Sequence, residues 1–350
     1  MPSFIERVED PQIPPPYVMP GIEIRSFELE ADLGKMGLLC DKLLNIGSLV
    51  ERGFEYRPLP LPYVALEVLT YPHMSSGLPP YSKAGYLRQQ EVYIRFPVVK
   101  YVLILGQILW PVGISSFFPF VFVDNAWSAI SGREVIGLPK LIGTIAQATA
   151  ADQSYAASLE LPVMTMFTPG TEETVEEVVS IQTGKPLAPS SGGSLLGWPW
   201  LLNVAEGFFG PASTLLLQIL ALLDPGAFST AQLKQFRDAE MPTEACFQGV
   251  LQSDFTVSEV SPPTPFESAT VTLTDFASLP MAEELGLPAG LPINAAMAYS
   301  TGFDMIMTNT RNLFVQQGTG TAGPAQVPGN IPGVTSWLEL LEDVGAFWCR

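Results

Sequence analysis

Lys140 is the residue whose place in the chain most favours covalent chemistry. Its neighbours, Val135 to Leu138 before it and Leu141 to Ile145 after it, are nearly all apolar. Burial of a lysine without an acid partner disfavours the ammonium form, and the neutral amine is the form that attacks a ketone. A lysine that reaches solvent or forms a salt bridge is the structural alternative, and the residues alone leave both interpretations open.

Histidine and cysteine are too few for other kinds of site. His73 is the single histidine, so a His-rich zinc site cannot form and any Ser-His-Asp or Cys-His arrangement depends on this residue. The cysteines, Cys40, Cys246 and Cys349, are far apart and odd in number, which indicates neither a metal site nor a disulfide framework. We therefore expect no metal and no cofactor.

The composition indicates a folded chain rich in strands and turns. Hydrophobic residues are 47% and charged residues 15% of the 350 residues, which excludes disorder and a long coiled coil. The 30 glycines and 33 prolines are spread along the chain and exclude a helical bundle. A mainly β architecture is the expectation.

Charge and hydropathy bear on partners and location. With 17 basic and 35 acidic side chains the net charge is −18, which repels phosphate backbones, so we expect no nucleic-acid partner. The first 20 residues lack the apolar core of a secretory signal. Residues 101–123 carry no charge, but Pro111, Gly113 and Pro119 favour two or three buried strands over a membrane span. A cytoplasmic protein without a membrane partner is predicted.

Periodicity predicts one clear helix among short strands. Leu33, Met36, Cys40, Leu43 and Leu44 share a helical face, with Asp32 as N-cap and Gly47 at the C-terminal end. Residues 1–20 are expected to form an irregular arm. The segment 171–180 fits either a helix or a strand. Strands are predicted at 64–71, 91–96, 99–109, 120–124, 142–148, 155–167, 248–257 and 269–275.

Two stretches look added to this body. Residues 194–228 are strongly apolar and broken by Pro199, Gly210 and Pro211, which predicts a helical insertion. It could be a lid over a pocket, ordinary core or a subunit contact. Residues 319–350 read as a Gly/Pro linker and an amphipathic C-terminal helix, leaving 1–318 as one domain.

The run from Asp124 to Lys140 resembles the signature of the acetoacetate decarboxylase family. It contains Asp-Asn, Ala-Ile, Gly-Arg-Glu and Pro-Lys in the family order. Residues 65–68 are similar to the family strand that carries one active-site glutamate, and Glu91 stands six residues before Pro97, as the second does. Residues 269–314 are similar to the final strand and closing helix of the family. The resemblance covers about 20 to 315, interrupted by the insertion.

The resemblance implies a mainly β (α+β) fold, an antiparallel β-barrel or cone with a few peripheral helices. It implies that Lys140 forms a Schiff base with a ketone, and that Glu67 and Glu91 move protons or place the substrate. Arg133 of the Gly-Arg-Glu run is the predicted substrate-binding residue, with a structural ion pair as the alternative. A symmetric homo-oligomer is also implied.

Two departures from the family pattern affect the reaction. The family decarboxylases have a second lysine directly after the first, and this chain has Leu141 at that position. The family arginine that binds the substrate carboxylate has no clean counterpart here, because Arg25 is near its position but out of register. We expect a decarboxylase-type carbon–carbon lyase acting on a 3-oxo acid or related carbonyl compound bulkier than acetoacetate. The alternatives are an aldolase or dehydratase that uses the same lysine, and a non-catalytic binder of an apolar ligand.

Overall fold

Strands dominate the computed structural model, which describes residues 12–188 and 227–316. The helices are α1 (Leu33–Leu43), α2 (Leu49–Arg52), α3 (Ala126–Ser131) and α4 (Met281–Leu285). The first eight strands are β1 (Tyr17–Glu30), β2 (Phe54–Pro58), β3 (Tyr63–Ser76), β4 (Leu87–Ile104), β5 (Ile108–Val123), β6 (Lys140–Ile142), β7 (Thr144–Thr149) and β8 (Tyr155–Val163). The others are β9 (Thr174–Thr183), β10 (Ala227–Arg237), β11 (Ala245–Ser258), β12 (Thr264–Pro265), β13 (Ala269–Leu273), β14 (Pro292–Asn294) and β15 (Met297–Gln316).

The large sheet has ten strands and closes on itself. Its order is β2-β4-β3-β1-β15-β11-β10-β5-β6, with β12 paired to β15, and a further pairing of β4 with β5 makes a ring of strands. The prediction of a mainly β fold is confirmed. The prediction that the sheet is antiparallel is wrong in part, because β10 with β5 and β5 with β6 are parallel pairs. A parallel pair requires a longer connection, and α3 lies in the one between β5 and β6.

The small sheet is antiparallel throughout, in the order β14-β13-β9-β8-β7. The segment 171–180, which the sequence fits equally to a helix or a strand, lies mostly in strand β9. Val178, Val179 and Ile181 are buried in this strand. In β8, buried and solvent-facing residues alternate with the strand period of two. The buried side joins the large sheet and α1 in one hydrophobic core.

Helix α1 matches its prediction. The side chain of Asp32 accepts a hydrogen bond from the backbone N–H of Lys35 at 2.9 Å, and Met36, Leu39 and Cys40 are buried. Burial raises the pKa of the Cys40 thiol to about 12. The helix ends at Leu43, before Gly47, whose φ of 69° lies in the left-handed region.

Residues 101–123 form two strands, as predicted, because the end of β4 pairs with β5 across a turn at Leu105. The prediction that the whole stretch is buried is wrong at the tip, where four apolar side chains are exposed: Leu105, Ile108, Trp110 and Val112. Among the described residues, no helix is long and apolar enough to span a bilayer.

Some predictions fall outside the described residues or need their limits moved. Residues 1–11 of the predicted arm, 194–226 of the predicted insertion and the whole predicted tail, 319–350, lie outside them. Phe228, placed in the insertion, belongs to β10, and Tyr17, placed in an irregular arm, begins β1. The closing element is the strand β15, and the helix before it, α4, has only five residues.

Cross-strand pairing defines one face of the large sheet that carries the candidate residues. Ser26 pairs with Glu67, Glu67 with Tyr93, and Tyr93 with Val121, which in turn pairs with Lys140. Directly paired residues project from the same side of a sheet. We call this side the Lys140 face.

Candidate active site

A short excursion from the sheet brings Lys140 into place. After β5, Asn125 caps α3 by accepting a hydrogen bond from the backbone N–H of Ser128 at 3.2 Å. A π-helical turn, Gly132–Ile136, follows and ends at Gly137, whose φ is 75°. The chain then returns as β6, parallel to β5, with Lys140 opposite Val121.

The Lys140 side chain is buried and has two polar partners. It is 6% exposed, and its Nζ donates to Oε2 of Glu91 at 2.7 Å and to Oγ of Ser128 at 2.9 Å. Lys140 is therefore not a buried lysine without an acid partner, and it forms the salt bridge that the residues alone left open as the structural alternative. Both partners of the contact are nearly excluded from water, so the ion pair is scarcely screened by solvent.

Gly132 makes room for the Lys140 side chain. A β-carbon at position 132 would lie 2.6 Å from Cδ and 2.8 Å from Cε of Lys140, closer than non-bonded carbons approach. Since φ at Gly132 is −62°, the glycine is needed here for space and not for its backbone conformation.

Glu91 is held by further polar side chains on the same face. Gln89 donates its Nε2 to Oε2 of Glu91 at 3.3 Å, and the Tyr71 hydroxyl also hydrogen-bonds to Glu91. Burial and the Glu91 charge raise the pKa of Tyr71 well above its ordinary value, so this phenol stays protonated. Tyr71 and Gln89 thus fix the carboxylate against Lys140.

Glu67 lies on the Lys140 face but contacts a different cation. It is 1% exposed and accepts two hydrogen bonds from Arg95, at 2.8 Å from Nε and 2.6 Å from Nη2. Ser26 donates a third at 3.0 Å. Burial lowers the pKa of Arg95, but the Glu67 charge outweighs this effect and holds the pKa well above its ordinary value. Glu67 is therefore a carboxylate with a committed ion-pair partner.

Arg95 and Glu28 are members of this site that the sequence did not reveal. Burial raises the pKa of Glu28 to about 7, the Arg95 charge opposes the shift and the Glu67 charge adds to it. Two glutamates thus share one arginine. The available signal for Arg95 was its spacing of four residues from Glu91 on one strand, which puts both on the same face.

Arg133 and Leu141 lie beside the site and not in it. Arg133 is exposed, and its Nη1 donates to the backbone carbonyl of Lys140 at 3.0 Å. This contact holds the strand that carries Lys140, and a role of Arg133 in substrate binding stays a prediction. Leu141 is 42% exposed and alternates to the other side of β6. Glu134, which follows Arg133 in the chain, accepts a hydrogen bond from Gln12.

The structure brings Lys140 and Glu91 into contact and keeps Glu67 nearby. Glu67 on β3 pairs with Tyr93 on β4, and Glu91 lies two residues from Tyr93 on the same strand. The two glutamates are therefore displaced by about 7 Å along the strand direction, at the usual rise per residue. His73 stacks on Tyr86 and takes no part. Within residues 12–188 and 227–316, no three His, Cys, Asp or Glu side chains are grouped as metal ligands.

Comparison with known proteins gives matches in structure only. No protein-family model matches the sequence, and no curated protein matches it significantly. A solved acetoacetate decarboxylase is 12% identical, with a TM-score of 0.52, covering 88% of this chain and 93% of its own. The acetoacetate decarboxylase of Legionella pneumophila subsp. pneumophila str. Philadelphia 1 is 13% identical, with a TM-score of 0.52 and coverages of 86% and 88%.

The enduracididine biosynthesis enzyme MppR is similar to the same degree. Its complex with the condensation product of pyruvate and imidazole 4-carboxaldehyde is 16% identical to this chain, with a TM-score of 0.52 and coverages of 87% and 92%. These matches span most of both chains. The chain therefore has the fold of the acetoacetate decarboxylase-like superfamily.

Proposed function

We propose that the protein is a Schiff-base-forming carbon–carbon lyase with Lys140 as nucleophile. The observation that carries the proposal is the buried contact between Nζ of Lys140 and Oε2 of Glu91 at 2.7 Å. An amine nucleophile needs a group that removes a proton as it attacks, and a carboxylate within hydrogen-bond reach can do this.

Glu91 would serve imine formation in two steps. Proton transfer from Lys140 to Glu91 leaves a neutral amine, whose lone pair forms the carbon–nitrogen bond with the substrate carbonyl. A proton of the attacking nitrogen moves to the carbonyl oxygen to give the carbinolamine. The protonated Glu91 then gives its proton to the carbinolamine hydroxyl, which leaves as water. The product is a protonated imine on Lys140, with the charge of Glu91 beside it.

The protonated imine accepts the electrons of the bond that breaks. In a 3-oxo acid the bond between C2 and the carboxylate breaks, carbon dioxide leaves, and the electron pair forms an enamine with the imine nitrogen. Protonation of the enamine carbon restores an imine, and water hydrolyses it to release the ketone and Lys140. We propose Glu91, which contacts Nζ of Lys140, and Tyr71, which hydrogen-bonds to Glu91, as the groups that supply this proton.

The substrate class in this proposal is a 3-oxo acid or related carbonyl compound bulkier than acetoacetate. The apolar segment 194–228 supports a larger apolar group on the substrate. We also propose a homo-oligomer, for which the sequence resemblance is the support and sedimentation velocity the direct measurement.

An aldolase or dehydratase is the second candidate, because the same imine permits it. Leu141 leaves Lys140 without the neighbouring lysine of the family decarboxylases. MppR, which shares the fold, was solved with a condensation product of pyruvate and an aldehyde. Both observations favour carbon–carbon chemistry without release of carbon dioxide.

Borohydride trapping tests the proposal. The protein is incubated with 3-oxo acids and ketones from acetoacetate to long-chain analogues, reduced, digested and mapped by mass spectrometry. We expect an adduct on the Lys140 peptide that is absent in Lys140→Ala. Lys100→Ala is the matched control, because Lys100 is half-buried and its pKa is lowered to about 8 by burial and by the Arg311 charge.

The outcomes separate the candidates. An adduct on Lys140 with carbon dioxide release supports the decarboxylase, and one without release supports the aldolase or dehydratase. Adducts on Lys100 alone, or none across the panel, would contradict the lyase proposal and favour the non-catalytic binder.

A further inference from the structure

A cavity lies on the other side of the large sheet from Lys140. Its volume is about 460 Å³, and its walls come from β1, β3 and β4 of the large sheet and from β7 and β8 of the small sheet. This size is in the range of small-molecule sites. Its wall residues Glu23, Thr70 and Gln90 pair with one another across three strands and so face away from the Lys140 face.

Arg25 is fixed in the wall of this cavity with most of its donors unused. Its guanidinium lies 4.4 Å from the ring centroid of Tyr155, and its Nη1 donates to Oε1 of Gln147 at 3.5 Å. Gln147 is itself held by the Tyr155 hydroxyl at 2.9 Å and by Gln90 at 2.6 Å. A guanidinium has five N–H donors, so this one is pre-positioned to take a carboxylate.

A carboxylate of the protein stands next to that cation. Oε2 of Glu23 is 3.7 Å from Nη2 of Arg25, beyond hydrogen-bond length, and the Glu23 side chain is 67% exposed against 19% for Arg25. Such a pair is weak and can open to other partners. The exposed rim of the cavity adds one charge of each sign, Arg88 and Asp124.

We propose that this cavity binds the head group of an α-amino acid. The ligand carboxylate pairs with Arg25 and its ammonium group with Glu23. The two charges of an α-amino acid are separated by two bonds, so one ligand can contact both side chains of this neighbouring pair. A zwitterion also fits the electrostatics, because a net charge of −18 disfavours a purely anionic ligand.

The groups proposed to bind this ligand, Arg25 and Glu23, are separate from those of the proposed lyase reaction, because they project from the opposite face of the sheet to Lys140. Tyr71 and Gln89 line the cavity and also hydrogen-bond to Glu91 on the Lys140 face, but neither is a proposed partner of the ligand charges. Binding here is therefore expected to be the same in Lys140→Met as in the unmodified protein. Loss of binding in that variant would place the ligand at Lys140 and overturn the proposal.

Isothermal titration calorimetry with L-alanine, L-glutamine and L-phenylalanine tests the proposal on the full chain. We expect at least one to bind, and its N-acetyl and carboxamide derivatives, which lack the ammonium group or the carboxylate, to bind about tenfold more weakly or less. No heat from any of the three up to about 20 mM overturns the proposal, as does equal binding of the N-acetyl derivative.

Variants locate the binding. Arg25→Gln and Glu23→Gln are each expected to weaken it about tenfold, and the same changes in the matched pair Arg57 and Glu55 on β2 are expected to leave it unchanged. Ala148→Phe fills the cavity from an exposed position without removing a charge, and we expect it to abolish binding. Retained binding in both Arg25→Gln and Ala148→Phe contradicts the site.

Discussion

A β-carbon on Gly132 would lie 2.6 Å from Cδ of Lys140, so the glycine of the Gly-Arg-Glu run is in contact with the candidate nucleophile. The residues of the Gly-Arg-Glu run therefore pack around Lys140. The first residue of the run leaves space for the side chain, and the second holds the backbone carbonyl of Lys140.

Gly132→Ala is expected to move the Lys140 side chain and to lower imine formation at least about tenfold, with the fold retained. The added methyl group overlaps the flexible end of a side chain and not the backbone, so a rearrangement relieves the clash. Borohydride trapping measures the effect, and circular dichroism checks the fold. Gly113→Ala is the control, because a β-carbon there meets open space. Equal trapping in both variants would show that Gly132 does not position Lys140.

Glu91→Gln is expected to slow imine formation by about 10² or more, because the amide keeps the shape but cannot take the proton from Lys140. Single-turnover trapping with the best ketone of the panel measures the rate. Ser128→Ala, which removes the other partner of Nζ without removing a charge, is expected to have a smaller effect. If Ser128→Ala were the more damaging change, proton transfer by Glu91 would be wrong.

Glu67→Gln is expected to act on stability first. Arg95 would lose its carboxylate partner in a largely buried position, at a loss of about 2 kcal/mol in the free energy of unfolding. Urea denaturation at neutral pH measures it. The double variant Glu67→Gln/Arg95→Met should recover part of the loss, because no unpaired charge is left. Absence of any recovery would argue against the ion pair as the cause.

Glu28→Gln is expected to stabilise the protein at alkaline pH and not at acid pH. The pKa of Glu28 is raised to about 7 from 4.5, so the folded state holds a proton that the unfolded state has released between these values. The unfolding free energy contributed by this group is present below pH 4.5 and is lost as the pH rises through 7. The substitution should raise the free energy of unfolding by about 2 kcal/mol more at pH 8 than at pH 4.5. Urea denaturation at the two pH values measures this difference, and equal effects at both would refute the prediction.

Lys100→Met is expected to show the opposite pH dependence. Burial and the Arg311 charge lower the pKa of Lys100 from 10.5 to about 8, so its contribution to stability is present above pH 10.5 and is lost as the pH falls through 8. The variant should gain about 1 kcal/mol at pH 7, discounted for partial exposure, and nothing near pH 10.5. Lys83→Met, at an exposed position, serves as the control.

Local patterns predicted those elements whose formation depends on adjacent residues. Helix α1 has three- to four-residue periodicity and an Asp32 cap, and both are properties of a short stretch of chain. The strand β15 was missed because its polar and apolar residues do not alternate strictly. It pairs with β1, β11 and β12 along different parts of its length, and its register with β11 shifts twice. The direction of β10 and β6 relative to β5 is a property of the chain path and leaves no local signal.

By itself, the sequence determined that the fold is mainly β, through its composition, and that Lys140 is the residue to examine, through its apolar neighbours and the resemblance of residues 124–140 to a family signature, because all of these are local properties of the chain. Only the tertiary structure decided its partner, since Glu91 is 49 positions away and reaches Lys140 through the register of β4, β5 and β6. The tertiary structure also decided that Glu67 forms a salt bridge with Arg95 and that Arg133 donates to the backbone carbonyl of Lys140. Which side chains meet depends on strand alternation and pairing across the sheet, and these are set by packing between segments distant in sequence.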